Sequence, residues 1–232
     1  PMSKIWLANS GSEGNDSAAR IAWYYWTALG QPQRRKFIAH RQAYHGNTIA
    51  SASLSGMFYN HASFGLPLDG FLHVTPPHHY RFAEAGTEPV MGSGGVIVPP
   101  PTYYEKIQAV LKKHDILLVA DEVITGFGRT GNMFGSTTMG LAPDMLVCAK
   151  GLSSAYLPIS ALMLNARVFD AIAAESDRVG VFGLSFTYSG HPVSAAVARE
   201  ASNWSPTRRR TRLSTRKSPS VPSATRAPRS TV

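Results

Sequence analysis

The chain has 232 residues, of which 44% are hydrophobic and 16% are charged. This length allows one large domain with a buried core, and no run of residues approaches the roughly 18 apolar residues that a membrane-spanning helix needs. Cys148 is the single cysteine, so the chain cannot form an internal disulfide. That fits a reducing compartment, and the cytoplasm is the location we expect.

The net charge of +9 is concentrated at one end of the chain. Residues 201–232 contain 8 Lys and Arg and no acidic residue, whereas residues 1–200 contain 15 Lys and Arg against 14 Asp and Glu. Because the end segment is rich in Arg, Ser, Pro and Thr, it cannot bury enough apolar surface to offset the entropy of ordering. We therefore predict a globular domain over residues 1–200 and a disordered basic tail over residues 201–232.

Two helices are indicated by apolar spacing and by their ends. In the segment 12–29, Ile21 and Tyr25 belong to one apolar stripe at helical spacing, and a glycine follows the segment. Further along, Thr102 and Glu105 have the spacing of a capping box, in which each side chain bonds the backbone at the start of a helix.

Three continuous apolar runs indicate buried strands, at residues 116–120, 145–149 and 159–164. Such runs, separated by helices or loops, are typical of strands buried on both faces of a parallel sheet. Parallel sheets bind ligands at the carboxyl ends of their strands. Asp121 follows the first run and Lys150 follows the second, so the sequence predicts an α/β fold with a site at that edge of the sheet.

Lys150 has two interpretations. Position alone favours a surface lysine at the end of a strand. A partly desolvated lysine at the top of a sheet is instead a nucleophile near neutral pH. Asp121 supports this second interpretation, because an amine and a carboxylate at one sheet edge can hold two ends of one cofactor.

The segment 9–15 opens the first long helix with small polar residues. Its exposed N–H groups lie at the positive end of the helix, where they can bind an anion such as a phosphate. A plain helix cap explains the same residues equally well.

Six motifs stand in order along roughly residues 1–200, and together they are much more specific than any one of them. They are Ser10-Gly11-Ser12-Glu13-Gly14-Asn15, Tyr44-His45-Gly46, Asp121-Glu122-Val123, Gly126-Phe127-Gly128-Arg129-Thr130-Gly131, Ala149-Lys150-Gly151-Leu152-Ser153 and Phe186-Thr187-Tyr188-Ser189-Gly190-His191-Pro192. With these motifs, this part of the chain resembles the class III aminotransferases, which are pyridoxal-phosphate enzymes of fold type I, and within them the omega-aminotransferases that use pyruvate as amino acceptor.

The resemblance implies the fold and the roles of individual residues. The fold is expected to be a three-layer α/β/α sandwich with a mostly parallel sheet, here incomplete. Lys150 is the expected Schiff-base lysine, which also moves a proton between the substrate carbon and the cofactor carbon. Asp121 is expected to pair with the pyridinium nitrogen, so that the ring can accept electrons.

The remaining site residues follow from the same resemblance. Gly11 and Ser12 are expected to bind the cofactor phosphate, and Val123 and Tyr44 to pack on the two faces of the ring. Thr187 is expected to reach the phosphate in the neighbouring subunit of a homodimer. Glu88 matches a family acid close to the cofactor. His45, by its turn-like context beside Gly46, is expected to be structural or to line the site.

The sequence departs from the family pattern in three places. It starts almost at the phosphate-binding motif. Residues 84–87 run straight into the Glu88-Pro89 pair, where family members have a helix and an interior strand. The helical pattern also breaks near residue 200, before the region that usually carries an arginine for the substrate carboxylate. We assign that role to no residue here.

Two alternatives to an active aminotransferase remain open. One is an inactive fragment that binds cofactor weakly at best. The other is nucleic-acid binding through the basic tail, which we consider unlikely because Trp204 is its one aromatic residue. The spacing Gly126-x-Gly128-x-x-Gly131 lacks the following helix of a dinucleotide site, and no metal site is expected at His78-His79.

Overall fold

The computed structural model describes residues 2–76, 99–100 and 102–203. Within these ranges strands and helices alternate, as the apolar runs predict. The strands are β1 (Met2–Ala8), β2 (Phe37–His40), β3 (Phe71–Val74), β4 (Val119–Asp121), β5 (Met145–Cys148) and β6 (Ser160–Asn165). The helices are α1 (Gly11–Ala28), α2 (Ile49–Leu54), α3 (Tyr103–Lys113), α4 (Gly135–Thr138), α5 (Ala166–Val179) and α6 (Pro192–Asn203), and short 3-10 helices span Phe58–Asn60 and Lys150–Leu152.

The larger sheet has four strands in the order β1-β6-β5-β4. β4 and β5 are parallel, with Asp121 opposite Val147, while β6 runs antiparallel to both β5 and β1. Three of the four strands therefore point the same way, and the expected mostly parallel α/β fold is confirmed.

The direction of β6 differs from the prediction that run 159–164 would be a parallel strand. Only residues 149–159 connect it to β5, and they contain no crossover helix beyond one 3-10 turn. A parallel pairing needs a crossover of about a dozen residues or more, so this short connection returns the chain antiparallel.

The smaller sheet pairs β2 with β3 in parallel, with Phe37 opposite Phe71. The rings of these two residues stack with centroids 5.0 Å apart, and Trp23 of α1 packs on both. Among the residues that the structure describes, no strand joins β2 to β4. The expected loss of an interior strand falls on residues 84–90, which lie outside the described ranges.

Helix α1 packs against the larger sheet and contributes one face to the main hydrophobic cluster of the described residues. Ile21 and Tyr25 are buried on it, as the apolar stripe predicts, and they share one cluster with Met145, Val147 and other buried side chains of β5, β6 and α5. Burial of each such side chain contributes about 1.5–3 kcal/mol, so α1 is fixed on the sheet largely through this face.

The ends of the elements show where local sequence signals fail. Thr102 is the N-cap residue of α3, but its side chain accepts no hydrogen bond there, so the predicted capping box does not form. β4 begins only at Val119, later than the apolar run that starts at Ile116. α6 continues through Asn203, slightly past the predicted boundary at residue 200, and the predicted tail beyond it lies outside the described residues. None of the described helices is both long and apolar enough to cross a membrane.

Candidate active site

Pairing of β4 with β5 brings Asp121 and Lys150 to one edge of the sheet. Asp121 is the last residue of β4 and lies opposite Val147, three residues before Lys150. Helix α1 begins at the same place, since a β-carbon added to Gly11 would lie 3.0 Å from a Val123 methyl and 3.8 Å from the Ala149 β-carbon. The residues next to Asp121 and Lys150 therefore meet at the N-terminus of α1.

The Asp121 carboxylate accepts three hydrogen bonds from three segments of the chain. His45 Nδ1 lies 2.7 Å from Oδ2, and Asn15 Nδ2 donates to the same oxygen at 2.9 Å. The Val123 backbone N–H donates to Oδ1 at 3.0 Å. Burial raises the pKa of Asp121, but the hydrogen bond and charge of His45, together with the Val123 and Asn15 bonds, outweigh it and hold the pKa below its usual value. The carboxylate is therefore ionised at neutral pH.

The loop after β2 holds His45 in place by close packing against α1. The His45 N–H donates to Ser55 Oγ at 2.8 Å. Gly46 has φ +134°, and a β-carbon there would lie 2.4 Å from Ser12 Oγ. Only glycine fits this position, because a side chain would strain the backbone and overlap α1. His45, which the sequence predicts to be structural or to line the site, is a direct partner of Asp121 in the structure.

The first turn of α1 leaves donors free at the sheet edge. Ser10 caps the helix by accepting the Glu13 N–H at 3.2 Å, while the Ser12 hydroxyl accepts the Asn47 N–H at 3.2 Å. Within the described residues, the N–H groups of Gly11 and Ser12 have no acceptor. Both free N–H groups lie at the positive end of an 18-residue helix and can bind an anion.

Lys150 has a backbone conformation that side-chain-bearing residues rarely adopt. Its φ is +42°, it is exposed, and its amine contacts no acceptor among the described residues. The ring of Phe127 packs on Gly151, the residue after Lys150, since a β-carbon on Gly151 would lie 2.9 Å from Phe127 Cδ2. Phe127 itself also has a positive φ, of +57°. Strained residues of this kind cost of order 1–3 kcal/mol and cluster at functional sites.

The other predicted site residues make fewer direct contacts with Asp121 and Lys150. Tyr44 and Val123 are partly buried beside His45 and Asp121, and Thr187 is exposed in the segment before α6. Glu88 lies outside the described residues. Sequence reasoning missed Asn15, which is buried at 3% exposure and bonds Asp121. Its burial, which requires a hydrogen-bond partner, is known only once the chain is folded.

Glu122, the neighbour of Asp121, has a structural role. It is 2% exposed, and its oxygens accept the N–H groups of Gly135 at 2.8 Å and Ser136 at 2.5 Å. It thereby ties the end of β4 to the start of α4 and fixes the loop that contains Phe127.

These features define an α/β domain with a candidate ligand site at the carboxyl ends of its strands. Residues 1–204 match the model of the family described as aminotransferase class-III, and the chain belongs to that family. It is 48% identical over 230 residues to a probable gamma-aminobutyrate transaminase 2, mitochondrial, of Oryza sativa subsp. indica, covering 86% of this chain and 46% of the relative. A crystal structure of the omega transaminase from Pseudomonas jessenii in complex with PMP matches with a TM-score of 0.87 and 50% identity, covering 90% of this chain and 53% of that one.

The chain thus spans about half the length of the relatives that it matches. The rice alignment is 230 positions long but uses 86% of the 232 residues here, or about 200, so the relative has about 30 positions in the matched region that this chain lacks.

The contact between Phe127 and Gly151 can be tested by substitution. Gly151→Ala should lower the free energy of unfolding by about 1–3 kcal/mol, because the added methyl overlaps a packed ring. Gly183→Ala is the matched control, since a β-carbon there meets nothing within 4 Å. Urea unfolding of both variants decides the matter, and equal stability of the two would show that the ring does not restrict this turn.

The charge of Asp121 predicts a dependence of stability on pH. A carboxyl whose pKa is lowered on folding stabilises the protein above its unfolded pKa, here 3.8, and that contribution is lost as the pH falls through the folded pKa. Asp121→Asn should therefore lower the free energy of unfolding by about 2–3 kcal/mol near neutral pH, and by less below pH 4. The reason is that an NH2 group, which is a donor, replaces one carboxylate oxygen and faces the donors that this oxygen accepted.

The matched control for this series is Asp170→Asn, which changes an exposed aspartate. Urea unfolding of the three proteins between pH 3 and pH 7 measures the difference. A cost for Asp121→Asn that is as large at pH 3 as at pH 7 would contradict the assignment of an ionised, hydrogen-bonded carboxylate.

Proposed function

We propose that this chain is the cofactor-binding part of an aminotransferase that uses pyridoxal phosphate to move an amino group from an omega-amine or omega-amino acid to a 2-oxo acid, with pyruvate the expected acceptor. The observation that carries the proposal is the Asp121 carboxylate, which accepts three hydrogen bonds at the same sheet edge as Lys150. The names of the relatives supply the donor class, since gamma-aminobutyrate is an omega-amino acid and the Pseudomonas protein is called an omega transaminase.

The residues at the sheet edge fit the chemical needs of this cofactor. A protonated pyridine nitrogen needs an ionised carboxylate, which is the state that three donors stabilise at Asp121. A phosphate needs N–H donors, which Gly11 and Ser12 supply at the start of α1. An aldehyde needs an amine that is free of other partners. Within the described residues, the Lys150 amine makes no hydrogen bond or ion pair.

Each of these residues has a distinct task in the proposed reaction. The bound cofactor supplies a ring that accepts electrons from the substrate carbon. Asp121 keeps the ring nitrogen protonated, and the Gly11 and Ser12 N–H groups orient the phosphate. The Lys150 amine would hold the cofactor and would also carry a proton from the substrate carbon to the cofactor carbon. Val123 and Tyr44 hold the two ring faces.

The assembly and location of the protein are also part of the proposal. A homodimer is expected, with exposed Thr187 reaching the phosphate of the neighbouring subunit. Relatives are named mitochondrial or chloroplastic, so the cytoplasmic expectation depends on the cysteine content alone.

Covalent trapping tests the site and turnover tests the activity. Pyridoxal phosphate added to the purified chain and reduced with borohydride should label Lys150, as peptide mass spectrometry would show. Lys150→Ala should abolish the label, while Lys112→Ala, an exposed lysine of α3, should leave it unchanged. The same protein should convert gamma-aminobutyrate and pyruvate to 4-oxobutanoate and alanine.

The outcomes separate the candidate functions. Label at Lys150 together with turnover supports the proposal. Label without turnover favours the inactive fragment. An equal label in Lys150→Ala refutes the assignment of the lysine.

A further inference from the structure

The hydrogen bonds of Asp121 leave one oxygen only partly used. A carboxylate has about four lone-pair positions, two on each oxygen. Oδ2 receives two donors, His45 Nδ1 and Asn15 Nδ2, whereas Oδ1 receives only the Val123 N–H. One acceptor position therefore remains on Oδ1. A ring N–H can bond the carboxylate there without displacing any donor.

Asn15 uses both hydrogens of its amide nitrogen in this arrangement. Nδ2 donates to Asp121 Oδ2 at 2.9 Å and to the His45 carbonyl oxygen at 2.8 Å. Because both partners are acceptors, the amide orientation follows from the chemistry. The side chain thus joins α1, the loop after β2 and the end of β4, and at 3% exposure it does so away from solvent.

Asn15 also lies one helical turn from the expected phosphate donors. It is four residues after Gly11, and residues four apart lie on the same face of a helix. One rigid helix therefore carries a donor for the phosphate at one end of the cofactor and a donor for the carboxylate at the other end. Rotation of Asp121 about its Cβ–Cγ bond is blocked while Asn15 and His45 both hold Oδ2.

We propose that Asn15 is a positioning residue, which locks Asp121 Oδ2 so that the remaining acceptor position on Oδ1 faces the ring nitrogen of the cofactor. The inference rests on the proposed function and adds a residue to it. Asn15 acts through Asp121 and does not itself touch the ring nitrogen. Loss of its amide should therefore weaken recognition of that nitrogen more than binding of the rest of the cofactor.

A pair of ligands isolates this effect. Dissociation constants are measured by absorbance titration for pyridoxal phosphate and for an analogue whose ring nitrogen is replaced by C–H. In the unaltered chain the analogue should bind more weakly, because it cannot donate to Asp121. The change in the ratio of the two dissociation constants between variants then reports the bond to the ring nitrogen, because the contributions of the phosphate and of Lys150 are common to the variants.

In Asn15→Ser, the ratio of the analogue's dissociation constant to that of pyridoxal phosphate should fall about tenfold, toward one. That change is equivalent to the loss of one hydrogen bond to a charged group. The matched control is Asn165→Ser, because Asn165 Nδ2 also donates to an aspartate, Asp144 Oδ1 at 2.9 Å, and Ser can keep its helix cap. That variant should leave the ratio unchanged. If Asn15→Ser does not fold, Asn15→Ala gives the same comparison with a stronger helix former.

The possible results distinguish the two levels of the proposal. An unchanged ratio in the Asn15 variant, with both ligands weakened equally, would reduce Asn15 to a structural residue and overturn the inference while the proposed function stands. An unaltered chain that binds neither ligand, or binds both equally, would overturn the proposed function and the inference together.

Discussion

A negative charge held largely out of water at the end of β4 constrains the rest of the site. Burying an ionised carboxylate costs several kcal/mol unless hydrogen bonds replace its water. Asp121 obtains those bonds from α1, from the loop after β2 and from its own turn, through Asn15, His45 and Val123. The three segments are far apart in sequence, so the charge can be kept only when all of them are folded onto the sheet edge together.

The close backbone approaches of the site serve that same assembly. Gly46 lets the loop after β2 touch Ser12, and Gly11 lets α1 touch Val123, where a β-carbon in either glycine would meet neighbouring atoms at 2.4 to 3.0 Å. On the other side, Glu122 anchors the loop that carries Phe127, and Phe127 in turn packs on Gly151 beside Lys150. The amine and the carboxylate are thereby supported by two connected sets of contacts that share the end of β4. Their mutual geometry is a property of the folded domain, although the two residues are 29 positions apart.

The sequence was sufficient to predict the parts that depend on local pattern. Apolar runs ending in Asp121 and Lys150 predicted β4 and β5 and their shared edge, and the stripe through Ile21 predicted the buried face of α1. The prediction that β6 is parallel was wrong, because the length of the connection, and not the composition of the strand, decides its direction. The capping box at Thr102 did not form, and β4 starts later than its apolar run, because ends of elements depend on neighbouring segments. Asn15 could not be assigned from spacing, since its role depends on a loop and a strand that only tertiary folding brings to it.

We propose that one cofactor ring spans Lys150 and Asp121 at this edge. A crystal structure of the chain after borohydride reduction with pyridoxal phosphate tests this most directly. We expect a ring joined covalently to Lys150 Nζ, with its nitrogen about 2.6–3.2 Å from Asp121 Oδ1 and the Asn15 and His45 bonds to Oδ2 intact. A ring whose nitrogen faces solvent or another cleft, with the Asp121 carboxylate bonded only within the protein, would contradict it.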